Sequence, residues 1–191
     1  MKSLRLLLCA LPLALTGCST LSSINWSTAY PWNWFGSSTE VIEQGVGKIT
    51  AATSLDQDAI QDALSGDYRL RSGMKTENGT ILHYFEALKD DRLALVINGD
   101  KGTVNHVEVM DDAIATASGV KVGTPFSELY SKAFGNCSSA PSSDSVAVEC
   151  KAAGSQHISY LFTGEWSGPE GLMPPDDTLK NWKVSKIIWK Q

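Results

Sequence analysis

The sequence lacks a long hydrophobic run at its N-terminus. The apolar residues 6–15, interrupted by Pro12, fall short of the roughly 20 that a membrane-spanning helix needs. It also lacks an excess of positive charge, with 16 Lys and Arg against 21 Asp and Glu. Because Lys2 and Arg5 precede Cys18 and no acid does, residues 18–191 hold 14 basic and 21 acidic residues. This balance argues against nucleic acid or anionic headgroups as partners.

Catalytic motifs are also missing. The sequence contains no Gly-x-Ser-x-Gly turn, no His-Glu-x-x-His pair and no Cys-x-x-Cys pair. Residues 45–48 lack the spacing of a phosphate-binding loop, and the acidic pairs at 90–91, 111–112 and 176–177 lack the pattern of a calcium loop. We therefore assign no catalytic residue, predict no cofactor or metal, and favour a non-enzymatic role.

Residues 1–17 have the organisation of a secretory signal peptide. Lys2 and Arg5 give a basic start, residues 6–15 give a short apolar core, and small residues follow. This pattern predicts export from the cytoplasm and removal of the segment.

The tetrad Leu15-Thr16-Gly17-Cys18 resembles the lipobox of bacterial lipoprotein precursors at all four positions. The resemblance implies that Cys18 becomes the N-terminus and carries a diacylglyceryl thioether and a further acyl chain such as palmitate. Two or more chains anchor a protein stably. Ser19, where inner-membrane retention would need Asp, implies the periplasmic side of the outer membrane. The alternative is an ordinary signal peptide with a chance cysteine.

The next segment, residues 18–40, is predicted to be a tether. Nine of the 21 residues at 19–39 are Ser or Thr, which is typical of a flexible spacer. The segment also carries the aromatic residues Trp26, Tyr30, Trp32, Trp34 and Phe35. These rings suit either an aromatic belt at the membrane surface or a first strand packed on the domain.

Four cysteines are present, and two remain after processing. Cys9 leaves with the signal and Cys18 is the predicted lipid site, so Cys137 and Cys150 are expected to form a disulfide in an oxidising compartment. A zinc site that adds His157 is the alternative, although it lacks a fourth ligand at ordinary spacing.

Residues 41–191 are predicted to form a single globular domain of the α+β class, rich in β-structure, with two short helices. Ser54 as N-cap and Gln57 make a capping box for the first helix, which Gly66 ends. Thr124 as cap and Pro125 at the first position begin the second, and Gly135 ends it. Each helix has an apolar face: Leu55, Ala59, Ile60, Ala63 and Leu64 in the first, and Phe126, Leu129, Tyr130, Ala133 and Phe134 in the second.

The strands are predicted to form an antiparallel sheet, arranged as a meander or a sandwich. Asn78-Gly79 is a strong hairpin signal, and turn residues also lie at 89–91 and 99–102. The predicted strands are 46–53, 68–74, 81–88, 93–97, 103–109, 114–122 with a bend at Gly119, 146–150, 157–162 and 182–189.

Two groups of residues are candidates for binding. The Gly/Pro-rich loop at 164–175 carries Trp166, Leu172 and Met173, which would give a partner apolar contact area unless Trp166 covers the sheet edge. The second group consists of three histidines on predicted strands: His83, His106 and His157. They could meet across the sheet and form a metal site, but they are better explained as separate, half-exposed residues.

His106 and Glu108 share one face of their predicted strand with Val104. We expect this face to be the solvent side if Val107 and Val109 point to the core. A base with an acid beside it is conceivable there.

Two further stretches carry a family resemblance. The Gly-Asp-Tyr-Arg-Leu-Arg-Ser-Gly sequence at 66–73 and the Gly-Val-Lys-Val-Gly-Thr-Pro-Phe sequence at 119–126 stand in a chain with a lipobox. Together they resemble the sigma-E-regulated outer-membrane lipoproteins of enteric bacteria, a family of unknown function. The resemblance implies an envelope-stress context and a mostly antiparallel β domain.

The sequence therefore favours a lipid-anchored protein of the outer membrane that faces the periplasm. Its predicted role is a non-enzymatic accessory that binds an envelope protein or a cell-wall component during stress. One alternative is an envelope hydrolase with a site around His106 and Glu108. Another is a module that binds a small ligand or a metal through the histidines.

Overall fold

The computed structural model describes residues 39–64, 68–77, 79–140, 146–169 and 172–191. All of them fall in one compact unit, Ser37–Gln191. The predicted signal peptide, the lipid site at Cys18, the aromatic tether, the helix cap at Gly66 and the turn residue Asn78 lie outside the described residues.

The described residues form strands and short helices in a β-rich arrangement, as the sequence predicts. The strands are β1 (Glu40–Ile42), β2 (Gly45–Val46), β3 (Ile49–Thr50), β4 (Arg69–Glu77), β5 (Thr80–Lys89), β6 (Arg92–Asp100), β7 (Thr103–Val109), β8 (Ala115–Thr116), β9 (Cys137–Ala140), β10 (Val146–Lys151), β11 (Ile158–Gly164) and β12 (Lys183–Lys190). The helices are α1 (Gln57–Ala63), α2 (Phe126–Leu129) and α3 (Asp176–Leu179).

The larger sheet has eight strands in the order β4-β5-β6-β7-β12-β11-β10-β9, and neighbouring strands are all antiparallel. The predicted meander is its first half. The β5–β6 and β6–β7 turns have the positive φ of type I′ hairpins, with 49° and 59° at Asp90 and Asp91, and 53° and 85° at Lys101 and Gly102. Because these turns match the twist of the flanking strands, consecutive strands pair along their length.

The last strand joins the two halves of the sheet. β12 pairs with β7 on one side and β11 on the other, although more than 70 residues of chain separate it from β7. Its residues Val184, Ile187 and Trp189 are 0–1% exposed. β12 is therefore the central strand of the core.

A smaller sheet of two- and three-residue strands completes the fold, in the order β3-β2-β1-β8. Its β1–β8 pair is parallel and its other pairs are antiparallel. Val41, Val46 and Ile49 from this sheet are fully buried in the same core cluster as Trp189. The predicted strand at 46–53 is thus two short strands around a turn at Gly47, where φ is 59°.

The predicted start of the first helix is wrong. Asp56 is the N-cap of α1, and its carboxylate accepts a hydrogen bond of 2.9 Å from the Ala59 N–H. Ser54 instead lies in a segment tied to the start of β7, because the Leu55 N–H donates to the Gly102 carbonyl and the Val104 N–H donates to the Thr53 carbonyl. The chain becomes helical only after those bonds.

The predicted second helix is too long, and its cap is wrong. Pro125 occupies the N-cap, α2 ends at Leu129, and Tyr130 is extended with φ of −137° and ψ of 133°. The Tyr130 hydroxyl donates to the Lys151 carbonyl at 2.6 Å, which fixes the side chain against the sheet. Phe134, predicted on the apolar face, is 81% exposed. Tertiary contacts have overridden the helical periodicity here.

A third helix, α3, was not predicted. It lies at the end of the Gly/Pro-rich loop and follows Pro175, with Asp176 and Asp177 in its first turn. Acidic residues in that position are favourable at a helix N-terminus. The Asp176 carboxylate also accepts a hydrogen bond of 2.7 Å from the Ala133 N–H, which links the loop to the segment after α2.

Candidate functional site

The predicted disulfide is confirmed. Cys137 and Cys150 are directly opposite each other on β9 and β10, with their Cα atoms 4.0 Å apart. Cys150 is fully buried. The bond therefore fastens the edge strand of the larger sheet to its neighbour.

The predicted contact loop is only partly free to meet a partner. Trp166 and Met173 are partly buried and pack against the core, and the Trp166 ring occupies the space that a side chain at position 168 would need. Leu172 is 59% exposed. Partner contact through these three residues stays a prediction. Of the three side chains, that of Leu172 is the most exposed.

The three histidines lie on or beside different strands. His83 is exposed on β5, His106 is on β7, and His157 precedes β11 with its Nδ1 2.8 Å from the Lys190 carbonyl oxygen. Among the described residues, no three His, Cys, Asp or Glu side chains form a group that could hold a metal ion. In the same part of the chain, no helix is long and apolar enough to cross a membrane.

His106 and Glu108 do come together, in a row with Lys186. The His106 Nε2 is 3.5 Å from the Glu108 Oε1, and the Lys186 ammonium donates to the Glu108 Oε2 at 2.7 Å. These neighbours, His106 first and then Lys186, outweigh burial and lower the pKa of Glu108 to about 2. A carboxylate that is so weakly basic and already paired is a poor general base at neutral pH. Its geometry favours a structural ion pair.

The expected orientation of this strand is partly wrong. Val104, predicted on the solvent side with His106, is fully buried. The register shifts between Asn98 and Gly99, so that Gly99 pairs with Val104 while Asn98 pairs with His106. This bulge adds Asn105 to β7 and moves Val104 to the core side.

Glu108 is expected to make folding stability depend on acid pH. Because its pKa is lowered from 4.5 to about 2 in the folded chain, its contribution is complete above pH 4.5 and is lost as the pH falls towards 2. At about 1.4 kcal/mol for a tenfold change in proton affinity, the contribution is roughly 3 kcal/mol. Urea unfolding of wild type and Glu108→Gln at pH 7 and pH 2 measures it.

We expect wild type to be the more stable at pH 7 and this advantage to disappear at pH 2. In Lys186→Met, which loses one cation, the folded-state pKa of Glu108 should be lowered less, so the loss should be smaller and complete at a higher pH. An advantage over Glu108→Gln that is the same at both pH values would contradict the ion pair.

A cleft of about 440 Å³ lies where the smaller sheet, α2 and the β10–β11 turn approach each other. Its volume is within the range of sites that hold small ligands. The apolar side chains that line it come from all three elements: Ile42, Val120, Leu129, Ala152, Ile158 and Tyr160. Exposed small residues, among them Ala117 and Ala153, form its rim.

Two of the polar groups at this cleft are already bonded within the protein. The Glu43 carboxylate accepts hydrogen bonds from the Ser155 hydroxyl at 2.6 Å and the Gln156 N–H at 2.9 Å. These bonds, Ser155 first, lower the pKa of Glu43. The hydroxyl of Tyr130 donates to a backbone carbonyl, and burial raises the pKa of that hydroxyl. The cleft therefore offers apolar surface and few groups for proton transfer.

Sequence patterns did not indicate this cleft. Its residues come from four separate stretches of the chain, within 42–43, 116–120, 128–130 and 152–160. The one local signal is the Ala152-Ala153-Gly154-Ser155 sequence, whose small side chains leave the cleft open.

Comparison with known proteins gives a consistent result. Residues 23–191 match the family described as Protein of unknown function (DUF1131). The chain is 69% identical over 191 residues to "Uncharacterized protein YfeY" of Escherichia coli (strain K12), with all of both chains covered. A crystal structure of the uncharacterized protein yfeY from Escherichia coli has 64% identity and a TM-score of 0.74, and the match covers 80% of this chain and 100% of that chain.

Proposed function

This chain belongs to the DUF1131 family of proteins of unknown function, and we propose that it is a lipid-anchored binding protein of the outer membrane. In this proposal the domain faces the periplasm and holds an apolar segment of an envelope protein in the cleft beside α2. It acts as a non-enzymatic accessory during envelope stress.

The cleft is the observation that carries the binding role. It has room for one or two apolar side chains, and its walls are Ile42, Leu129 and other apolar residues. Burial of such side chains is favourable by about 25 cal/mol per Å² of apolar surface. Since Glu43 and Tyr130 are bonded internally, a bound peptide would not leave them without partners.

The anchor is supported by the sequence. The tetrad that ends at Cys18 follows a basic start and a short apolar core, and Ser19 follows it. The envelope-stress context rests on the resemblance of residues 66–73 and 119–126 to sigma-E-regulated lipoproteins.

Replacing Cys18 by Ser should release the protein from the membrane fraction, and a lipid-modified N-terminal peptide should be absent from its mass spectrum.

Crosslinking in intact cells tests the cleft. A photo-crosslinking residue in place of Ala153 is expected to give a discrete product with one envelope protein. The second substitution Ala117→Phe, which places a ring at the rim, should reduce that product several-fold.

The matched control is the same crosslinker in place of Ala113, an exposed alanine at a different cleft near the β5–β6 turn. It should not give the product. Equal products from both positions, or a product from position 153 that Ala117→Phe leaves unchanged, would rule out the proposed site.

A further inference from the structure

A second candidate site, which is polar, lies on the larger sheet and shares no residue with the cleft. Tyr84, Asn98 and His106 are directly opposite one another on β5, β6 and β7, so their side chains share one face of the sheet. They alternate with the core residues Phe85, Ile97 and Val107, which point to the other face. We call Tyr84, Asn98, His106 and Glu108 the polar platform.

Asn98 is the unusual member of the platform. It is 8% exposed, and its side-chain Oδ1 has no hydrogen-bond partner. The Nε2 of His106, opposite it, also lacks a hydrogen bond, because the Glu108 carboxylate is 3.5 Å away. An unpaired buried polar atom costs about 1–3 kcal/mol, so two on adjacent residues favour a role in recognition.

Tyr84 places an aromatic ring in the same row of the sheet, on the β4 side of these two residues. Position 73 on β4, opposite Tyr84, is glycine, and a side chain there would lie 2.4 Å from the ring. The ring therefore extends across the edge strand, and Tyr84 stays partly exposed. An aromatic surface in one row with hydrogen-bonding groups two and three strands away suits an extended ligand with both apolar and polar faces.

Charge decides which class of ligand fits. The carboxylate of Glu108 is paired with Lys186, and the carboxylate of Glu86, in the next row of the sheet, is paired with Arg71. These opposite charges cancel locally, which leaves neutral hydrogen-bonding atoms and a ring. We propose that the polar platform binds a neutral sugar. Its hydroxyl groups donate to Asn98 Oδ1 and accept from the His106 Nε2–H, and the C–H face of its sugar rings packs on Tyr84.

This proposal is independent of the cleft, because no platform residue lines it. Its test is a calorimetric titration of the full-length protein in detergent with two probes, a β-1,4-linked tetramer of N-acetylglucosamine and maltotetraose. At least one should bind, and Asn98→Leu should weaken that binding about ten-fold, the value of one lost hydrogen bond. The unfolding temperature of Asn98→Leu should be no lower than that of wild type, since the substitution removes an unpaired polar group.

His106→Phe keeps a ring but removes the Nε2–H donor, so it should weaken binding similarly and serves if Asn98→Leu does not fold. His83→Gln, on the opposite face of β5, is the control and should bind as wild type does. The proposal is overturned if neither sugar binds at millimolar concentration, or if both platform variants bind as tightly as wild type.

Discussion

Replacing Trp189 by alanine is expected to lower the free energy of unfolding by about 3–5 kcal/mol. Trp189 is fully buried near the end of β12, where it pairs with Val107 on β7 and with Ile158 on β11. Its indole Nε1–H donates a hydrogen bond of 3.0 Å to the Glu43 carbonyl, which follows β1. The substitution therefore opens a large cavity and leaves that carbonyl without its partner.

A second variant separates these two effects. Trp189→Phe keeps most of the apolar volume and loses the hydrogen bond, so its cost should be clearly smaller than that of the alanine variant. Lys183→Ala, at an exposed position of the same strand, should change stability by less than about 0.5 kcal/mol. Chemical denaturation measures all three. A loss below about 1 kcal/mol in Trp189→Ala would contradict the central position of β12.

The meander could be predicted because its information is local. The strands from β4 to β7 are rich in apolar and β-branched residues, and the turns between them carry residues that tolerate positive φ, such as Gly79 and Gly102. The turn sets the register of the following strand, so adjacent strands need no distant partner to be recognised. The disulfide could also be predicted from the sequence, because Cys137 and Cys150 are the two cysteines that remain once Cys9 is assigned to the signal peptide and Cys18 to the lipid.

The smaller sheet could not be predicted because its information is not local. Strands of two or three residues, such as β2 and β8, are too short to show a period. The parallel pair of β1 and β8 joins segments about 75 residues apart. The length of α2 failed for a related reason: its sequence continues a helical pattern to Phe134, but the contacts of Tyr130 with β10 end the helix first.

The candidate sites depend on register between distant strands. His106 and Glu108 were recognised as neighbours on one strand, but Lys186, which pairs with Glu108, comes from β12. Asn98 follows the predicted strand 93–97 and precedes the turn residues at 99–102, so the sequence indicated no role for it. Only the bulge at Asn98 and Gly99 brings it opposite His106. A long-range pairing cannot be read from spacing alone.

Removing the disulfide is expected to lower the free energy of unfolding by about 3 kcal/mol, the chain-entropy value for a loop of this size. The two cysteines are 13 residues apart in sequence and opposite each other on β9 and β10. β9 has four residues and is an edge strand, so it has one neighbour to hold it. Cys137→Ala/Cys150→Ala is the test variant, since alanine places no polar group at the buried position 150.

Reduction provides the matched control for this double variant. Dithiothreitol should lower the unfolding free energy of wild type by a similar amount and leave that of the double variant unchanged, because only wild type has a bond to break. We expect both proteins to stay folded. If reduction does not change the stability of wild type, the constraint between β9 and β10 is already supplied by their strand pairing, and the disulfide has no stabilising role.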